Sequence, residues 1–211
     1  MRLSLTAILV FAGLLSAGGC ATSTIGTPGF AVLPRGSGAS RVAHRPAYTL
    51  TAARQDWVRQ QGGLNADPIL HARLQQAFLQ LGPGVARSSC RLEVLDSSRL
   101  VAYSWTDGSV FASRGLIQAL DSLELTAALA HEMGHLLGHG PMADPSALQS
   151  HPSPHDEETR ADQLGCDLLQ QVGLPTRSMT TMLRKVRATL APESDTYRNL
   201  SLRIARLDAQ D

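Results

Sequence analysis

Apolar residues recur at helical spacing from Asp67 to Leu81, at Ile69, Leu70, Leu74, Ala77, Phe78 and Leu81. This predicts an amphipathic helix, stopped by Gly82-Pro83. The pattern then shortens. Arg91 to Leu95 and Leu100 to Trp105 read as strands, and Thr106-Asp107-Gly108-Ser109 as a hairpin turn with Asp-Gly at its centre. Val110 to Ser113 is the return strand. Leu123 to Leu137 is apolar nearly all round, which predicts a buried helix. Asp121 with Glu124 three residues on forms a capping box for it, and Gly138 marks its end. Gly140 to Asp156 is broken by Pro141, Pro145, Pro152 and Pro154 and reads as a loop. Helix resumes at about Glu157, where Asp156, Glu157 and Glu158 favour an N-terminus, and stops at Gly173 before Pro175. Further helices are expected over about Arg177 to Leu190 and Tyr197 to Leu207. A helix, a small sheet and then helices imply an α+β fold.

The N-terminal pattern is different. Arg2 precedes an apolar run from Leu3 to Leu15, the length of a signal-peptide core and too short to span a bilayer. Leu15-Ser16-Ala17-Gly18-Gly19-Cys20 resembles a bacterial lipobox, with Ala17 where leucine is commonest. That resemblance implies a signal peptide over 1–19 and lipidation of Cys20. Ala21 in place of Asp implies delivery to the outer membrane, on its periplasmic face. Residues 20–49 carry Gly26, Pro28, Gly29, Pro34, Gly36, Gly38 and Pro46 and read as a flexible tether. Residues 50–211 form the folded domain.

The 211 residues are 43% hydrophobic and 18% charged, enough for one domain with a core. Net charge is +1, and cleavage before Cys20 removes Arg2, leaving 18 basic against 18 acidic residues. Nothing in that balance suggests a nucleic-acid partner. Cys90 and Cys166 are a possible disulfide in an oxidising compartment, or two buried thiols.

The buried helix contains His131-Glu132-Met133-Gly134-His135. One turn apart on one face, His131 and His135 can hold a single zinc ion. Two histidines and a carboxylate in so apolar a helix are costly unless paired or bound to metal. Glu132 is placed to act as general base toward a water. A third ligand is needed. His139 lies about 12 Å from His131 along the same axis and cannot close on the same ion. The metzincin pattern H-E-x-x-H-x-x-G-x-x-H requires a histidine where Pro141 stands. Glu158 is the stronger candidate, because Asp162 shares its face and can accept a hydrogen bond from the free nitrogen of a ligand histidine. Glu157 has Ala161 at the corresponding position. His151 and His155 sit in the proline-rich loop, which fixes no geometry.

These two motifs, in this order, resemble the gluzincin peptidases of the CAAX-prenyl-protease and heat-shock-protease type. The likeness runs from about Leu92 to Asp167. It takes in Val110 to Ile117, Glu124 to His135 and Glu158-x-x-Ala161-Asp162, with Arg203 to Leu207 similar to the C-terminal helix. The resemblance implies a zincin-like fold, with a small antiparallel sheet whose edge strand packs on the active-site helix. It implies one zinc ion per chain, peptide or unfolded-protein substrates, and a substrate strand held by Val110, Phe111, Ala112 and Ser113. Three features depart from the family, the first being that Val101-Ala102-Tyr103-Ser104 stands, without the Asn, near the place of a short Asn-Ala-Phe-Ala-like motif. His135 and Glu158 are 23 positions apart, a trimmed insert, and Thr196-Tyr197-Arg198 replaces a Thr-His-Pro motif. Tyr197, Tyr103 and Arg203 are the candidates for stabilising an oxyanion. The expected activity is zinc-dependent endopeptidase action on cell-envelope proteins. The alternatives are a non-proteolytic zinc lipoprotein with a chaperone or assembly role, and a protease kept latent by the 140–156 loop.

Overall fold

The computed structural model describes residues 47–86, 90–105, 107–138 and 154–210. The signal segment, Cys20, the tether up to residue 46 and most of the 140–156 loop lie outside the described residues.

Helix α1 (Ala47–Gln60) begins inside the stretch assigned to the tether. Helix α2 (Pro68–Leu79) starts where Asp67 accepts a hydrogen bond from the Ile69 N–H at 2.9 Å, with Pro68 in its first turn. Leu70, Leu74, Ala77 and Phe78 are buried, whereas Ile69, on the same predicted stripe, is exposed. A short helix, α3 (Gly82–Ala86), follows where only a stop was expected.

Strands β1 (Arg91–Leu95), β2 (Ala102–Ser104) and β3 (Ser109–Ser113) form one sheet in the order β1-β3-β2. β2 and β3 are the expected antiparallel hairpin, with Tyr103 opposite Phe111. β1, however, runs parallel to β3, so the sheet is mixed and not antiparallel. Val110, Phe111, Ala112 and Ser113 therefore lie on the central strand, and the edge beside the motif helix is β2. The reason is physical. All five β3 residues are buried, and a strand buried on both faces belongs in the middle of a sheet. The 96–101 connection crosses the end of β3 and is tied there, Gly115 donating to the Ser97 carbonyl and Ser113 to the Val101 carbonyl, both at 2.9 Å.

Alternation along the strands divides the sheet. Tyr103 and Phe111 meet Trp57 of α1 at ring separations of 5.0 and 5.1 Å. Ala102 and Ser104 face the other way, where the motif helix packs. Ser113 caps the short α4 (Arg114–Ala119), accepting from Leu116 N–H at 3.1 Å.

Helix α5 (Ser122–Gly138) opens on the predicted capping box. Asp121 accepts from Glu124 N–H at 2.9 Å, and Glu124 accepts from Asp121 N–H at 2.8 Å. Glu124 through His135 is continuously buried. Helix α6 (Pro154–Gln171) starts three residues before the expected position, and α7 (Arg177–Arg187) and α8 (Asp195–Asp208) complete the chain. The α5–α6 crossing is close because Gly134 has no side chain. A Cβ there would stand 2.5 Å from the Ala161 carbonyl oxygen. No disulfide joins Cys90 to Cys166. Cys90 instead lies with its sulfur 3.9 Å from that of Met133.

Candidate metal centre

Four elements converge on the HEMGH turn. α5 supplies His131, Glu132 and His135, α6 supplies Glu158 and Asp162, α8 supplies Arg203, and β2 lays Ser104 beside Glu132. His131 and Glu132 have no exposed surface, and His135, Asp162 and Arg203 are 4%, 3% and 3% exposed.

His131, His135 and Glu158 offer ligand atoms within 4.8 Å of one another. The two Nε2 atoms are 3.2 Å apart, and His131 Nε2 is 3.5 Å from Glu158 Oε2. Ligands about 2.1 Å from a tetrahedral zinc stand about 3.4 Å from each other. Those two spacings are close to that figure, and the remaining pair lies within 4.8 Å. On its far side His131 Nδ1 meets Asp162 Oδ1 at 2.8 Å, the orienting contact that a metal-bound imidazole requires.

The charges fit as well. The carboxyl groups of Glu132, Glu158 and Asp162 are gathered around one guanidinium, an acidic surplus that suits a divalent cation. Both Glu132 carboxylate oxygens are buried and complete no hydrogen bond among the described residues. Such a group is expensive unless it has a cation or a water to act on. Burial raises its pKa to about 7, opposed by His131 and by the Ser104 hydroxyl, which approaches without completing a bond of normal geometry. That value is the range in which a carboxylate both takes and returns a proton at neutral pH. Burial alone would lower His131, but its bonds to Asp162 and Glu158 outweigh this and carry it to about 9. Burial would raise Asp162, yet Arg203 and His131 hold it well below the ordinary carboxylate range.

The three residues considered for oxyanion stabilisation each have another partner in the structure. Arg203 is committed to carboxylates, its Nε and Nη2 donating to Asp162 at 2.7 and 2.6 Å and its Nη1 to Glu158 at 2.8 Å. Tyr197 packs beneath the Arg187 guanidinium, 5.3 Å from ring centre to cation. Tyr103 lies on the sheet face opposite Ser104, its hydroxyl accepting from Arg99 at 3.3 Å. His155 is turned toward α8, Nδ1 lying 3.1 Å from the Asn199 side chain. Val110 to Ser113, paired on both sides, have no free edge for a substrate strand. One neighbour escaped the sequence reading, and another was expected in a different role. Ser104 sits in a strand with no motif, and the role of Arg203 depends on a helix 41 residues beyond Asp162.

No curated protein matches the chain. The model of peptidase family M48 matches residues 68–144, which run from α2 through the whole of α5 and enclose the HEMGH turn. Glu158 lies beyond that match, and the fold carries it to the two histidines inside it. Over residues 68–144, about a third of its length, the chain is similar to peptidase family M48, a family of zinc-dependent metallopeptidases.

Proposed function

We propose that this protein is a zinc endopeptidase of the cell envelope in which Glu132 is the general base. The observation that carries the reading is the pairing of a buried Glu132 carboxylate, without a hydrogen bond among the described residues, with a three-residue ligand set beside it. His131, His135 and Glu158 would hold the ion. When bound, zinc supplies a Lewis acid that makes water acidic near neutral pH and polarises a carbonyl. Glu132 takes the proton from the attacking water and delivers it to the leaving amine. Asp162 keeps the proton of His131 on Nδ1, leaving Nε2 as the donor atom. β2 is the strand for an extended substrate to join. In an antiparallel ladder the backbone groups of Ala102 and Ser104 point away from β3, which pairs through Val101 and Trp105.

Glu132→Gln is the direct test. It should retain zinc and lose casein cleavage by at least about 100-fold. Cleavage at the wild-type rate would refute the mechanism.

A second reading, a latent protease, is favoured by one observation. Glu132 has no exposed surface and Ala102 and Ser104 are buried, so a peptide enters only after the site opens. A zinc-loaded wild type that is silent on casein and active after limited proteolysis is its expected result. Lipid anchoring at Cys20, with the domain in the periplasm on a tether, completes the proposal. Cys20→Ala should move the protein from the membrane to the soluble fraction, and an unchanged distribution would exclude the anchor.

A further inference from the structure

We infer that Arg203 is a positioning residue of the metal centre, acting through Asp162 and Glu158 and touching neither substrate nor the reacting atoms. The inference rests on the metal-binding reading above. Nε and Nη2 of Arg203 meet the two oxygens of Asp162 at 2.7 and 2.6 Å, a planar fork on a planar carboxylate. That pairing fixes the plane of Asp162, whose Oδ1 also accepts from His131 Nδ1 at 2.8 Å. The imidazole is thereby held with Nε2 toward His135 and Glu158. The third nitrogen, Nη1, donates at 2.8 Å to Glu158 Oε2, the same oxygen that stands 3.5 Å from His131 Nε2. One rigid cation therefore sets the position of a ligand on α5 and of a ligand on α6.

The guanidinium is anchored from outside both helices. Leu200, Ile204 and Leu207 bury the surrounding face of α8. Lysine carries the charge but cannot form the fork, so it should not reproduce the geometry. A groove of about 420 Å³ between α6 and α8 reaches Asp162 and Arg203, so water can fill the space left by a shorter side chain. Substitution there should spare the fold more than a dry cavity would.

The test compares Arg203→Lys, Arg203→Met and Asp162→Asn with wild type in the whole protein. The readouts are zinc affinity by chelator competition, the visible spectrum of the cobalt-substituted form, and thermal unfolding without metal. Each variant should bind zinc about 10- to 100-fold more weakly and alter the cobalt spectrum. Arg203→Met combined with Asp162→Asn should lose little more than either alone, because the two residues act in series. Folded Arg203 variants with wild-type affinity and an unchanged cobalt spectrum would overturn the inference. So would a fall in metal-free stability as their only effect. Failure of the underlying reading looks different, since wild type itself would then bind no stoichiometric zinc. If Arg203→Met does not fold, Arg203→Lys and Asp162→Asn decide the matter, because unchanged metal binding in both overturns it.

Discussion

Gly134→Ala should destabilise this protein, although alanine is the better helix former. At an exposed position inside a helix the change gains about 0.5–1 kcal/mol. Here the new methyl would stand 2.5 Å from the Ala161 carbonyl oxygen and 3.0 Å from its Cα. Both atoms belong to the backbone of α6, so no rotamer relieves the clash. A carbon–oxygen contact relaxes at about 3.3 Å, so the helices must part by about 0.8 Å. Overpacking of this kind costs about 1–3 kcal/mol, more than the gain in propensity. A net loss near 1–2 kcal/mol corresponds to a fall in Tm of about 2–8 °C for a domain of this size. The same movement carries Glu158 and Asp162 away from His131, so zinc affinity should fall too. Metal bonds tolerate only a few tenths of an ångström. Gly138→Ala is the control, since its nearest neighbour is a Leu164 methyl at 3.5 Å, an ordinary contact. Thermal unfolding without metal, followed by zinc titration, measures both effects. A Gly134→Ala protein as stable as wild type with the same zinc affinity would refute the close crossing of α5 and α6.

Zinc at 100 times its Kd should add about 2.7 kcal/mol and raise Tm by about 5–10 °C, and His135→Ala should abolish the rise. Persistence of the rise in His135→Ala would exclude this ligand set. The Cys90 thiol is pushed up to about 11 by burial, with help from Asp107, so it stays protonated at pH 8. It should react with a thiol reagent much more slowly in the native protein than after unfolding, with a native rate that climbs toward pH 11. Equal native and unfolded rates at pH 8 would contradict its placement.

The parts of the fold legible from the sequence were those with local signals. The capping pair Asp121 and Glu124 located the start of α5, and Asp67 followed by Pro68 located α2. Asp107-Gly108 marked the hairpin between β2 and β3. Strand order was not legible. Whether β3 lies at the edge or in the centre depends on where β1 pairs, and that is decided by burial across the whole sheet. α1 was missed because its segment opens among prolines and glycines, and α4 because it is only six residues long. At the site, the spacing within α5 and within α6 was readable, being one helical turn in each. Arg203 was legible as a candidate oxyanion donor but not as the partner of Asp162 and Glu158, which lie 41 and 45 residues away.

The burial of Glu132 has a consequence for how activity should be interpreted. A buried carboxylate with no hydrogen bond among the described residues is costly, and a water or a substrate reaching it would lower that cost. On the proposed reading the buried site is a resting state, because hydrolysis needs water and substrate to reach Glu132. If an open form is populated to a fraction f, the apparent affinity for substrate is weaker than the intrinsic one by 1/f. A segment that binds as a strand on β2 supplies backbone hydrogen bonds available only in the open form, and so shifts the equilibrium toward it. Extended, unfolded chains can make that contact, and folded proteins offer few segments that can. The proposed function, with a closed site beside an edge strand, therefore predicts faster cleavage of unfolded than of folded substrates; equal rates on native and denatured forms of one protein would refute it.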